Sequence, residues 1–213
     1  MFLPSGHAST PVTASRPSLD GVTPAASALP ERFAAALQTL RRPQVRPEVV
    51  LREIPAPGRI APYAVALEGE VVIADDELSA GRFIALHDPA GQEAWRGDFR
   101  VVTYLQATLE PEMAADPLLQ EVAWSWVTEA VADSGLALTE LGGTVTRVLS
   151  TSFGSLEESP QAVDLELRAS WTPEDTDLGA HLRLWIDLMS TIGGLPPLPD
   201  GVTPLAPRRH WTW

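Results

Sequence analysis

The chain has 213 residues, 45% of them hydrophobic, a net charge of −13 and no cysteine, which suits one globular domain with tails and excludes disulfides, cysteine zinc ribbons and thiol catalysis. No apolar run approaches the roughly 18 residues of a membrane-spanning helix. The first 60 residues carry +3 and the remainder −16, so the acidic body would repel phosphate backbones, which disfavours nucleic acid and anionic membranes as partners.

Residues 1–28 are rich in Pro, Ser, Thr and Ala without apolar periodicity, and are expected to form a disordered tail. They lack the basic start and long apolar centre of a secretory signal. Pro30 to Arg42 reads as a first helix, with Phe33, Ala36, Leu37 and Leu40 at helical spacing and Pro43 as its stop. Val49, Leu51 and Ile54 suggest a short strand, ended by Pro55-Ala56-Pro57-Gly58. Ala64–Ile73, interrupted by Gly69, and Gly81–His87 are two further apolar runs. Asp88-Pro89-Ala90-Gly91 has turn chemistry.

Phe99, Val101, Thr103, Leu105, Ala107 and Leu109 share one face of the next strand. Asp116 and Pro117 open a long helix as N-cap and first residue, and it ends near Gly135. Thr144–Phe153 reads as a strand. Val163, Leu165, Leu167, Ala169 and Trp171 alternate with polar residues in another, which has one wet face. Asp177 caps a last helix and Gly193 ends it. Residues 194–213 form a proline-rich tail that either packs along residues 29–193 or stays free. With no helices between most strands, the order predicts an α+β fold: an antiparallel sheet of about five strands with helices packed on one face.

Strong catalytic motifs are missing: there is no G-x-G-x-x-G, G-x-S-x-G, H-E-x-x-H or EF-hand loop. Without lysine or asparagine, P-loop, Schiff-base and N-glycosylation chemistry drop out too. His87 and Asp88, as strand neighbours, point to opposite faces and cannot form a dyad by themselves. Trp95-Arg96-Gly97-Asp98 carries more: in an extended segment Arg96 and Asp98 share a face and can pair, and a Trp beside an Arg can frame a ligand. Asp75-Asp76-Glu77 reads as an acidic loop rather than a metal site, and no metal or cofactor is expected. Pro196-Pro197-Leu198-Pro199 suits a stiff tail or a polyproline ligand.

Helical geometry adds two surpluses. In the helix from Pro117, Leu119, Val122, Ala123, Trp126, Val127 and Ala130 form the expected core stripe, whereas Trp124 lies roughly 130° away, flanked by Val131. In the last helix, Leu178, Leu182, Trp185, Ile186 and Met189 form the core face, and His181, Leu184 and Leu188 widen the apolar arc to about 200°. Trp126, Trp171 and Trp185 are expected in the core. Trp124, Val131, Leu184 and Leu188 are the candidates for a surface that meets a partner. Arg46, Arg52 and Arg59 are expected to contact the acidic body.

Seven ordered segments, HDPAGQEAW (87–95), RGDFRVVT (96–103), EPEMAADPLLQEVAWSW (110–126), GGTVTR (142–147), RASWTP (168–173), DLGAH (177–181) and GLPPLP (194–199), resemble the bacterial domain-of-unknown-function family numbered three thousand, over roughly residues 30–208. That resemblance implies a cytoplasmic protein of high-G+C bacteria and brings no activity, cofactor or catalytic residue. Two readings follow from the residues. One is a non-catalytic protein-interaction or adaptor domain, meeting another protein or a second copy of itself. The other is a small-molecule binder or enzyme with a sheet-edge pocket around His87, Trp95, Arg96 and Asp98.

Overall fold

A computed structural model describes residues 29–41, 45–109, 116–154 and 162–196. The expected N-terminal tail, and the C-terminal one beyond Pro196, lie outside these residues. The order is α1 (Glu31–Thr39), β1 (Val49–Ile54), β2 (Tyr63–Ile73), β3 (Asp76–Gln92), a 3₁₀ turn (Glu93–Trp95), β4 (Gly97–Leu109), α2 (Leu119–Ser134), β5 (Leu138–Ser150), β6 (Ala162–Pro173) and α3 (Leu178–Ile192). The strands form one antiparallel sheet in the order β1-β2-β3-β4-β6-β5. The fold is the expected α+β class, with six strands rather than about five. No described helix is long and apolar enough to cross a membrane.

β1 to β4 form a meander of hairpins. Ala74 and Asp75 both take positive φ between β2 and β3, the geometry of a tight two-residue hairpin turn, so the acidic run at Asp75 serves the reversal. The chain does not reverse at Asp88-Pro89-Ala90-Gly91. Asp88 Oδ1 accepts the Ala90 N–H at 3.1 Å, and these residues form a bulge between His87 and Gln92. The reversal comes after Trp95, where Arg96 adopts φ 53°. From β4 the chain crosses through α2 to the far edge, runs along it as β5 and hairpins back as β6 beside β4.

Alternation decides what the sheet buries. On β4, every odd residue from Phe99 to Leu109 is buried, as are Val163 to Trp171 on β6. The helices pack on that face, with α3 against β2, β3 and β4, α1 against α3, and α2 against α3 and β5. Trp185 of α3 sits in a trough made by Gly69 and Gly81, which face each other across β2 and β3. A Cβ at Gly69 would lie 2.7 Å from the ring's Cη2, and one at Gly81 3.0 Å from its Cζ2. The start of α3 meets the end of α1 as closely: Gly179 N–H donates to Thr39 Oγ1 at 2.9 Å, and a Cβ on Gly179 would lie against the Thr39 carbonyl.

The opposite face carries paired charges. Arg52, Glu68 and Arg82 stand in register on β1, β2 and β3. Arg52 donates to Glu68 at 2.8 Å, and Arg82 lies 3.6 Å from the same carboxylate. The Arg52 hydrogen bond holds the Glu68 carboxyl below the usual carboxylate range. Of the arginines expected to meet the body, Arg52 does so through Glu68 and Glu70. Arg46 is buried, lies 3.6 Å from Glu48 and donates to the Pro196 carbonyl at 2.8 Å, tying residues 195–196 to the start of β1. Arg59 is exposed and makes no ion pair among the described residues.

Candidate functional site

The four expected pocket residues separate into two places. His87 points inward from β3, next after Ala85 on the buried face, and is only 1% exposed. Its ring lies between Phe33 of α1 (centroids 5.6 Å apart, planes 3° apart) and Phe99 of β4 (4.3 Å, 27°), with Tyr63 at 6.1 Å. Nδ1–H donates to the Asp98 main-chain carbonyl at 2.9 Å, since a carbonyl oxygen can only accept. The Asp98 carboxylate receives Arg32 at 3.3 Å, and that guanidinium also lies over Phe99. The fold therefore brings His87 and Asp98 together and adds Arg32, which sequence reasoning missed because nothing local to α1 marks it. Aromatic rings on both faces and a main-chain hydrogen bond make this group a clamp that fastens α1 to the sheet.

Trp95 and Arg96 take no part in it. Trp95 is buried, and its carbonyl accepts from Thr172 Oγ1. The expected Arg96–Asp98 pair is not made, because Arg96 is not extended: its left-handed backbone carries the side chain to Glu140 of β5 at 3.0 Å. Arg100 reinforces that junction, donating to the Glu140 carbonyl, Thr172 Oγ1 and Ser170 Oγ. Burial holds its guanidinium below the ordinary arginine value.

The wide arc of α3 is covered from within. Leu184 and Leu188, expected on a partner surface, are 3% and 1% exposed. α1 and α2 flank α3 on the sheet, so three sides of it need apolar residues. His181, on the same helix, is fully buried and its Nδ1 accepts the Trp171 indole N–H at 3.1 Å. Burial holds its pKa below 6.5, against the opposing pull of Asp175 and Asp177. The unfolded chain then takes up a proton that the folded chain refuses, so stability rises with pH through this range. This contribution is expected to be complete above about 6.5 and to shrink as pH falls below it. Urea midpoints on either side of that pH, for the natural chain and for His181→Gln, check it. Parallel pH profiles for the two proteins would show that His181 is not the source.

α2 lies differently on the sheet from the expected stripe. Leu119, Ala123 and Val127 are buried, Trp126 is only partly so and Val122 is open. The helix is rolled toward β5, because Gly143 gives Trp124 a seat there: a Cβ on Gly143 would lie 2.6 Å from Trp124 Cζ3. Trp124 and Val131 are thus half-buried, packed on the core. Arg147 of β5 donates to the Asp116 carbonyl at 3.4 Å, holding the start of α2 beside the second half of β5. Around this corner large apolar side chains stand open: Leu118 and Val148, and above all Leu149 at 66% and Phe153 at 78% exposure. Among the described residues β5 pairs only with β6, so its other edge is free.

Residues 29–203 match a family model described as Protein of unknown function (DUF3000). No curated protein and no solved structure matches the chain.

Proposed function

We propose that this chain, which belongs to the DUF3000 family of proteins of unknown function, is a non-catalytic protein-interaction domain that docks through the corner of α2 and β5. The carrying observation is the set of open apolar side chains at Leu118, Val148, Leu149 and Phe153 beside a strand edge that is unpaired among the described residues. Exposed large apolar side chains gathered beside an unpaired strand edge mark interaction sites on otherwise polar surfaces. Trp124 seats α2 on β5, with its ring held against main chain at Gly143. The pocket reading loses its support, since His87 and Asp98 are absorbed in a buried clamp while Trp95 and Arg96 turn elsewhere. The setting we propose is the cytoplasm, as the family resemblance of the sequence implies.

Leu149 makes the test clean, because its side chain is open and its replacement spares the core. Affinity capture from the native host with the natural chain, quantified against Leu149→Asp, should show captured protein, whether another species or further copies of this chain, falling at least about tenfold with unchanged thermal stability. Equal capture by the two proteins, or none by the natural chain, would overturn the proposal.

A further inference from the structure

We propose that the occupant of this corner is a second copy of the chain, joined β5 to β5 in antiparallel register about Val145; this deepens the docking reading above and rests on it. The two edges of the sheet differ. β1 spans only six residues and sets Arg52 among its side chains. β5 spans thirteen and contains no proline and, beyond Glu140, a single charged residue, Arg147. Exposed edges are normally blunted by shortness, charge or proline, and a long unguarded one is a template for strand pairing.

A two-fold contact further requires that the strand complement itself, and β5 does. Centred on Val145, antiparallel pairing sets Val145 against its own copy, and Thr144 against the partner's Thr146. It sets Gly143 against the partner's Arg147, and Leu141 against the partner's Leu149. Every opposed pair has matching parity, so each meets on one face of the joined sheet. Thr144 and Thr146 are exposed and sit on the face that carries no helix, since they register with Arg168 and Glu166 on β6. Val145 and Leu149 register with Leu167 and Val163 on the helix face. Threonine pairs and β-branched pairs are favourable across strands. Leu149, the more exposed of the two leucines, gains an apolar neighbour at Leu141, which is already packed on the core.

The full chain should therefore sediment at about twice its monomer mass at tens of micromolar. Register can be read by crosslinking, since the natural chain has no cysteine. An equimolar mixture of Thr144→Cys and Thr146→Cys proteins should oxidise mainly to the mixed dimer, because directly opposed residues approach most closely. Glu129→Cys, on the exposed side of α2, should form no crosslink. Joint replacement Thr144→Lys and Thr146→Lys places like charges across the seam and should weaken self-association at least about tenfold. A monomer at all concentrations, or a dimer in which the mixed crosslink shows no preference, overturns the inference. If the chain is monomeric while Leu149→Asp still abolishes capture of a different protein, the docking surface stands and its occupant is another species.

Discussion

Trp185→Ala is expected to lower the folding stability by about 3–5 kcal/mol. The indole is wholly buried, and its floor is main chain at Gly69 and Gly81, held in register by the β2–β3 ladder. The space left by the ring cannot be filled by neighbouring side chains dropping in from below, since neither glycine has one. Among the described residues Phe83 alone flanks it in aromatic contact, with centroids 5.9 Å apart. Trp185→Phe should recover much of the loss: it keeps most of the volume and removes a buried indole N–H that has no hydrogen-bond partner among the described residues. Urea unfolding of the three proteins, read at constant m-value, checks this. An alanine variant within about 1 kcal/mol of the natural chain, below the range for such truncations, would mean that the trough closes after all.

Gly142 and Gly143 are adjacent and expected to respond in opposite ways to the same change. A Cβ on Gly143 would lie within contact distance of the Arg168 carbonyl, Trp124 Cζ3 and the Ala169 Cα. Two of those three are the main chain of β6, which cannot yield without parting the strands. Gly143→Ala is therefore expected to cost about 1–3 kcal/mol, as overpacking does. A Cβ on Gly142 meets nothing within 4 Å, so Gly142→Ala should stay within about 0.5 kcal/mol of neutral. Paired thermal unfolding of the two variants decides it. Equal midpoints would show that α2 is not seated on β5 through Trp124.

The parts of the fold legible in the sequence are those governed by local rules. The alternation from Phe99 to Leu109 and from Val163 to Trp171 marks β4 and β6 with their buried faces, and Asp177 caps α3 by accepting the Ala180 N–H. β3 was only half visible: the Asp-Pro-Ala-Gly sequence has the chemistry of a turn, yet the ladder resumes at Gln92 and absorbs it as a bulge. β5 likewise starts at Leu138, ahead of the expected Thr144, because its first half passes through a register shift near Glu140. The arc of α3 misled for a different reason. Periodicity measures how much of a helix is apolar but not what covers it, and here α1 and α2 cover Leu184 and Leu188. The candidate site was least legible, since Arg32–Asp98, Arg96–Glu140 and Trp124–Gly143 all join segments distant along the chain. Trp124 was visible as an outlier on its helix, but its glycine seat on β5 was not.

The placement of β6 between β4 and β5 bears on how the chain finds this structure. Each of the β1–β2, β2–β3, β3–β4 and β5–β6 pairings joins strands that follow one another, so each closes a comparatively short loop. The β4–β6 ladder alone joins strands that are not consecutive, setting Val101 opposite Trp171 and Leu109 opposite Val163. The non-local entropy of the sheet is thus concentrated in one seam, which must wait for α2 and the β5–β6 hairpin to swing into place. Across that seam lies α3, touching β2, β3 and β4 on one side and α2 on the other. Because α3 follows all six strands along the chain, the piece that locks the two halves of the sheet together is synthesised after every strand that it joins.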